Sequence, residues 1–363
     1  MGRVYNFNPG PATMPLAVLE QAQQELVDYQ GRGMSVMEIS HRSKEYEALN
    51  REAEARIKRL LGLGDAYRVL FLQGGASLQF AMVPYNFLPN GATADYILTG
   101  SWAEKALEEA RKLTHAHYHI AASTREEQYR RVPQVSEIQL SAKPAYVHLT
   151  SNNTIYGTQW HPLPDLGDVR LVADMSSDIM SRPFAADKFS LIYAGAQKNL
   201  GSAGVTIVIL RQDWLEHPLQ NLPAMLRYAT HIKNDSLYNT PPSFAVYLTN
   251  LVLGWIEKNG GLEGMEQHNQ AKAAKVYGVI DASGGFYRPH AEKNSRSLMN
   301  ITFRLPSEAL EDQFVKEATA ASLVGLKGHR SVGGIRASLY NAMSQEGANA
   351  LASFMQAFAQ KNG

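Results

Sequence analysis

Apolar positions along the chain fall into two spacings. From residue 67 onward, short runs that are apolar at nearly every position, Tyr67 to Leu72, Asp95 to Thr99, Ala145 to Leu149, Arg170 to Ala173, Leu191 to Ala194 and Val205 to Leu210, read as strands buried on both faces. Helix-length stretches separate several of them. Gly74-Gly75-Ala76-Ser77 opens one helix and Gly100-Ser101-Trp102 opens another. Two helices precede the first strand. One runs from Pro15 to Gln30, with Pro in its first turn and apolar positions at Leu16, Leu19 and Leu26. The second carries Tyr46, Leu49, Ala53, Ile57 and Leu60, three or four residues apart, and ends near Gly62 and Gly64. Strands alternating with helices predict the α/β class, with a mainly parallel sheet covered on both faces.

A change of composition at Asn259-Gly260-Gly261 predicts a hinge. A long polar helix from Leu262 to about Ile280, a strand over Ser297 to Phe303 and a helix over Leu310 to Ala321 follow. The chain then divides into an amino-terminal arm (1–14), a large α/β domain (15–260) and a smaller α+β carboxyl-terminal domain (261–363). At 363 residues and 45% hydrophobic composition it can bury a sizeable core. The formal net charge of +1 provides no long-range attraction to nucleic acid or to a membrane surface. The absence of cysteine excludes disulfides, thiolate catalysis and cysteine-based zinc sites. Met1 to Pro9 lacks the apolar core of a signal peptide, and no stretch approaches the ~18–20 apolar residues of a membrane span. The expectation is a soluble, cytoplasmic protein.

Candidate chemistry centres on Lys198, which lies between two apolar runs and is flanked by the small residues of Ala194-Gly-Ala-Gln-Lys-Asn-Leu200. A lysine is nucleophilic near neutral pH only when desolvation or a neighbouring cation lowers its pKa, as in Schiff-base sites. Arg170-Leu-Val-Ala-Asp174 ends a strand on a carboxylate, which suits a pyridoxal ring nitrogen that stays protonated only beside an anion; a helix N-cap is the alternative. Gly74-Gly75-Ala76-Ser77 places backbone amides and a hydroxyl where a phosphate would bind, although a plain tight turn has the same sequence. Open α/β sheets bind ligands beyond the carboxyl ends of their strands, and Gly75, Trp102, Thr154, Asp174 and Lys198 all fall there. His115, His117 and His119 alternate along a possible strand, but no nearby acid completes a metal site. Met34, Met37 and Phe80 read as packing residues.

Six phrases, Asn6-Phe-Asn-Pro-Gly-Pro-Ala12, Ser35-Val-Met-Glu-Ile-Ser-His-Arg42, Phe71-Leu-Gln-Gly-Gly-Ala-Ser-Leu-Gln-Phe80, Ala194 to Leu200, Tyr238-Asn-Thr-Pro-Pro242 and Gly328-His-Arg-Ser-Val-Gly-Gly-Ile-Arg336, resemble the phosphoserine aminotransferase family, class-V enzymes of fold type I. They occur in family order and span nearly the whole chain. The resemblance implies a pyridoxal 5′-phosphate enzyme whose large domain holds a mainly parallel seven-stranded sheet. Lys198 would carry the cofactor as a Schiff base, Asp174 would face its ring nitrogen and Trp102 would stack on the ring. Ala76, Ser77 and Gln197 would hold the phosphate, and Thr154 would lie at the ring hydroxyl. Asn239 and Thr240 would reach the cofactor phosphate of a neighbouring subunit, implying a homodimer with shared active sites.

By the same resemblance, Arg336 takes a substrate α-carboxylate, and His41, Arg42, His329 and Arg330 surround the distal anion. Arginine suits such a pocket because its planar fork matches carboxylate and phosphate alike. The implied reaction is transamination between L-glutamate and 3-phosphohydroxypyruvate for serine biosynthesis, with a second family activity on the precursor of 4-phosphohydroxythreonine in vitamin B6 synthesis. Pro9 departs from the small residue usual at its position and lacks a backbone donor. Ala76-Ser77 places the chain in the family branch without an arginine there, and Ser202 replaces a common proline. An alanine:glyoxylate aminotransferase is disfavoured by a pocket with two anion sites. A cysteine desulfurase is ruled against by the missing cysteine. A non-catalytic regulator would bring a nucleic-acid module or basic patch that the sequence lacks.

Overall fold

The computed structural model describes residues 2–215 and 222–363. Its centre is a seven-stranded sheet in the spatial order Tyr67–Leu72, Thr206–Arg211, Phe189–Gly195, Leu171–Asp174, Pro144–Thr150, Thr93–Leu98 and His117–Ser123. Only Thr206–Arg211 runs antiparallel to its neighbours; the remaining pairings are parallel. Strands inside the sheet serve two cores because successive side chains point to opposite faces. In Tyr67–Leu72, for example, Tyr67, Val69 and Phe71 enter one apolar cluster while Leu70 and Leu72 enter the other.

Helices cover both faces, as the uninterrupted apolar runs require. Helices α1 (Leu16–Glu25) and α2 (Lys44–Leu60) pack on the first cluster, and α3 (Gly75–Phe87) and α4 (Ser101–Arg111) on the second. The sequence specifies α2 at both ends. Ser43 accepts from the Tyr46 amide at 3.3 Å, Glu45 and Glu47 lie in the first turn, and Lys58 and Arg59 in the last. Gly62 then takes a left-handed conformation (φ 64°) that ends the helix. The short α5 (Tyr228–Lys233) and the longer α6 (Ser243–Lys258) lead to Gly260, also left-handed, after which α7 (Gly261–Ala282) begins. A three-stranded antiparallel sheet (Arg288–Pro289, Asn300–Arg304, Ile335–Ser338), α8 (Glu308–Ala320) and α9 (Gln345–Asn362) complete the carboxyl-terminal part around a third cluster. Phe7 of the amino-terminal arm enters that cluster, and residues Tyr5–Asn6 pair with Leu323–Val324.

Two expectations change. Helix α1 is shorter than Pro15 to Gln30, and its buried residues are Val18 and Ala22; Leu16 and Leu26 are exposed. Met34 and Met37 are exposed as well, whereas Phe80 is packed in the core. Apolar spacing marks an apolar face but not what covers it. His117–Ser123 is an edge strand with His117 exposed, and His119 Nε2 lies 2.8 Å from the Gln139 carbonyl. No helix among the described residues is long and apolar enough to cross a membrane.

Candidate functional site

The parallel strands end together at Leu72, Leu98, Thr150, Asp174 and Gly195, and the loops that leave them enclose a cavity of ≈ 290 Å³. Gly75, Ala76, Ser77, Trp102, Thr154, Asp174, Gln197 and Lys198 line it, joined by His329 and Arg336 from the carboxyl-terminal part and by Pro9 and Gly10 from the arm. Gly74 makes the sharp entry to α3. It is left-handed at φ 87°, and a Cβ there would lie 2.6 Å from Leu78 side-chain atoms. The Leu78 amide is the first to be satisfied, by the Gly74 carbonyl at 3.2 Å, so the amides of the first turn open onto the cavity.

Lys198 Nζ donates to Thr154 Oγ1 at 3.1 Å. Desolvation lowers the Lys198 pKa to about 8; Asp174 and Asp178 pull it upward and Arg336 adds to the lowering. Asp174 ends its strand inside the fold and accepts from the Ser176 amide at 2.9 Å. Burial raises its pKa, against the lowering by Ser176 and Lys198. Asp178 is held by Ser151 and by Gln159 Nε2 at 3.0 Å. Arg336, on the strand Ile335–Ser338, is 7% exposed; its Nε finds no partner among the described residues, and burial lowers its pKa. Trp102 is half-buried, with Lys105 Nζ 4.6 Å from its ring centroid and with its own buried Nε1 unpartnered. His329 Nδ1 is 2.7 Å from Ser331 Oγ, and burial followed by Arg336, Arg330 and Lys105 lowers its pKa.

Of the residues singled out in the sequence, His41, Arg42, Asn239, Thr240 and Arg330 do not line this cavity. His41 and Arg42 lie together before α2, with Arg42 Nε 3.5 Å from His41 Nε2. The Thr240 carbonyl accepts from Gln73 Nε2 at 3.2 Å, beside the turn that opens α3. Arg330 is exposed next to His329. The wall also contains Asn152, Ser176 and Ser177, which the sequence reading missed. Asn152 Nδ2 donates to Ser177 Oγ at 2.7 Å and to Asn300 Oδ1 at 2.8 Å. Their position just beyond strand carboxyl ends was the available signal.

The chain matches the aminotransferase class-V family over residues 4–351. It is 62% identical to the phosphoserine aminotransferase of Herpetosiphon aurantiacus over 360 residues, 99% of each chain. The phosphoserine aminotransferase structure from Bacillus circulans subsp. alkalophilus superposes with a TM-score of 0.97 at 57% identity, covering 99% of both chains. A PLP-bound phosphoserine aminotransferase from Trichomonas vaginalis gives a TM-score of 0.93 at 38% identity, covering 98% of this chain and 100% of that one.

Proposed function

The chain belongs to the class-V aminotransferases, within the phosphoserine aminotransferases, and we propose that its reaction runs in the cavity at Lys198. It is an aminotransferase that moves an amino group from L-glutamate to 3-phosphohydroxypyruvate, giving 2-oxoglutarate and O-phospho-L-serine. One observation carries the assignment of the site. A single cavity unites a lysine whose pKa falls to about 8, a buried carboxylate and a buried arginine.

The residues present fit pyridoxal 5′-phosphate. The free first-turn amides of α3, the unpartnered indole Nε1 of Trp102 and a carboxylate buried without a full cationic partner supply what its phosphate, ring and ring nitrogen need. Bound there, the cofactor supplies a protonated ring that withdraws electrons from the substrate α-carbon. Ala76 and Ser77 would hold the phosphate through amides, hydroxyl and helix dipole, with Gln197 also in the lining. Asp174 would keep the ring nitrogen protonated, Trp102 would cover the ring and Thr154 would meet the ring hydroxyl. Lys198 Nζ, desolvated in the cavity, would carry the proton away from the substrate α-carbon. The Arg336 fork pairs with the α-carboxylate. His329 in the lining, with the exposed Arg330 next to it in sequence, would take the distal anion, phosphate in one half-reaction and carboxylate in the other.

His41, Arg42, Asn239 and Thr240 complete the site from a second copy in a cytoplasmic homodimer with shared active sites. Two observations support this. These four residues do not line their own chain's cavity, and the segment 16–37 exposes Leu16, Leu26, Val27, Met34 and Met37, with Val27 at 80%. The cofactor's visible absorbance tests the reaction. It should bleach with glutamate and return with 3-phosphohydroxypyruvate but not with pyruvate or glyoxylate. Return with either of the latter assigns a different aminotransferase, and no bleaching rejects catalysis.

A further inference from the structure

The cavity at Lys198 is one of three that share lining residues in series. Ile155, His329 and Arg336 line it and also line a second cavity of ≈ 210 Å³. Gln128, His290 and Arg304 line that second cavity and also an open groove of ≈ 730 Å³. The groove lies between the loop that follows the edge strand and the segment 285–296, which are tied together. The Glu292 amide donates to the Arg130 carbonyl at 2.8 Å, and His290 Nε2 lies 2.9 Å from the Gln128 carbonyl.

The lining is cationic. Arg296 and Arg304 are neutralised, by Asp281 at 2.6 Å and Glu311 at 2.5 Å, and build the walls. Arg130, Arg288 and Lys293 are exposed and have no carboxylate partner among the described residues; the two arginines donate only to carbonyls, of His290 at 3.2 Å and Leu305 at 2.5 Å. Glu292, between them in sequence, does not line the groove. With a net charge of +1, the chain as a whole cannot steer an anion. A local cluster in a concave surface can, because low-dielectric walls focus its field and raise on-rates ~10-fold or more.

We propose that this groove collects phosphorylated carboxylates and feeds them through the second cavity to Arg336. The proposal rests on the reaction assigned above and adds to it an approach route outside the catalytic cavity. It concerns the rate of encounter, so its signature is ionic: the effect belongs in kcat/KM at low salt and disappears when the Debye length falls to a few ångströms.

The test compares holoenzyme with Arg130→Gln/Arg288→Gln/Lys293→Gln and with Lys293→Glu, an exposed position with no side-chain hydrogen bond among the described residues. At about 20 mM salt, kcat/KM for 3-phosphohydroxypyruvate should fall roughly 5- to 20-fold in the triple variant and about 2- to 5-fold in Lys293→Glu. The kcat should stay unchanged, glutamate should be affected less, and the differences should close by about 1 M salt. Unchanged kcat/KM in both variants, or losses that persist at high salt in Lys293→Glu, overturn the proposal. If the unaltered enzyme does not turn over the phosphorylated keto acid, the reaction assignment fails separately. Calorimetry with inorganic phosphate then decides the groove: weaker low-salt binding in Lys293→Glu upholds an anion site, and equal binding overturns it.

Discussion

The Tyr340 hydroxyl donates to the Pro9 carbonyl at 2.7 Å, joining residues 331 apart in sequence. Pro9 and Gly10 form part of the cavity wall, and a Cβ on Gly10 would lie 3.4 Å from Lys198 Cγ, so the arm rests directly on the lysine. Tyr340 in turn accepts from Asn300 Nδ2 at 3.1 Å, and Asn300 Oδ1 accepts at 2.8 Å from Asn152, which lines the cavity. A polar chain therefore runs from the arm to the cavity lining at Asn152. Because Pro9 has no N–H, the arm offers substrate no backbone donor at that position.

Tyr340→Phe breaks that chain at its centre. Losing the phenol leaves the Pro9 carbonyl and the Asn300 amide short of a partner, at a cost of about 1–3 kcal/mol in urea unfolding. The arm should also loosen over Lys198, raising KM for glutamate more than it lowers kcat. Equal stability together with an unchanged KM would show that the arm is held by other contacts.

The pKa of Lys198 makes the stability of the cofactor-free protein depend on pH in a definite direction. An unfolded lysine loses its proton near 10.5, while burial in the fold lowers this to about 8. Below about pH 8 the residue is charged in both states, and its desolvation opposes folding in full. Between about 8 and 10.5 the folded chain gives up the proton first, so the opposition fades and stability rises with pH. Lys198→Met should therefore stabilise the cofactor-free protein most below pH 8, with the gain shrinking toward pH 10. A gain of the same size across that range in denaturant titrations would contradict the assignment.

Much of the sheet was legible because its strands are buried on both faces and read as apolar runs; Tyr67 to Leu72 was bounded to the residue. The edge strand His117–Ser123 was visible only as a possible strand, since it lies at the margin of the sheet with His117, Tyr118, Ile120 and Ser123 exposed and so lacks the continuous apolar run of the inner strands. Helix α7 read correctly as a long helix but misleadingly as a polar one. Lys272 on it is wholly buried, donating to the carbonyls of Leu339 at 2.9 Å and Tyr340 at 2.7 Å. No spacing rule marks a lysine that satisfies carbonyls 67 and 68 residues away. Asn152, Ser177, Asn300 and Tyr340 escaped for the same reason: their partners come from other parts of the chain, and each residue alone looks like an ordinary loop or strand polar group.

Lys198 and Asp174 should fail in distinguishable ways. If Lys198 is the proton carrier at the substrate α-carbon, Lys198→Ala should lower turnover by ~10²–10⁴-fold. Added methylamine should restore part of the rate, because a small free amine can occupy the vacated volume and move the same proton. Asp174→Asn keeps the size but removes the charge proposed to face the ring nitrogen; the loss should be ~10²-fold or more and should not respond to the amine. Rescue of both variants, or of neither, would separate the two residues from these roles.

Shared active sites can be tested by recombining defects. Lys198 lines the cavity of its own chain, whereas His41 and Arg42 do not, so each complete site would draw on both copies. Homodimers of Lys198→Ala and of His41→Ala/Arg42→Ala should each be nearly inactive. In a mixed dimer, both defects fall into one site and the other is intact. Random mixing of the two chains should then recover about a quarter of the unaltered activity, since about half the dimers are mixed and each has one working site. Size-exclusion chromatography with light scattering must show dimers in every sample. Dimers without recovery would mean that His41 and Arg42 serve the cavity of their own chain after a movement of the segment before α2, and that the copies do not share sites.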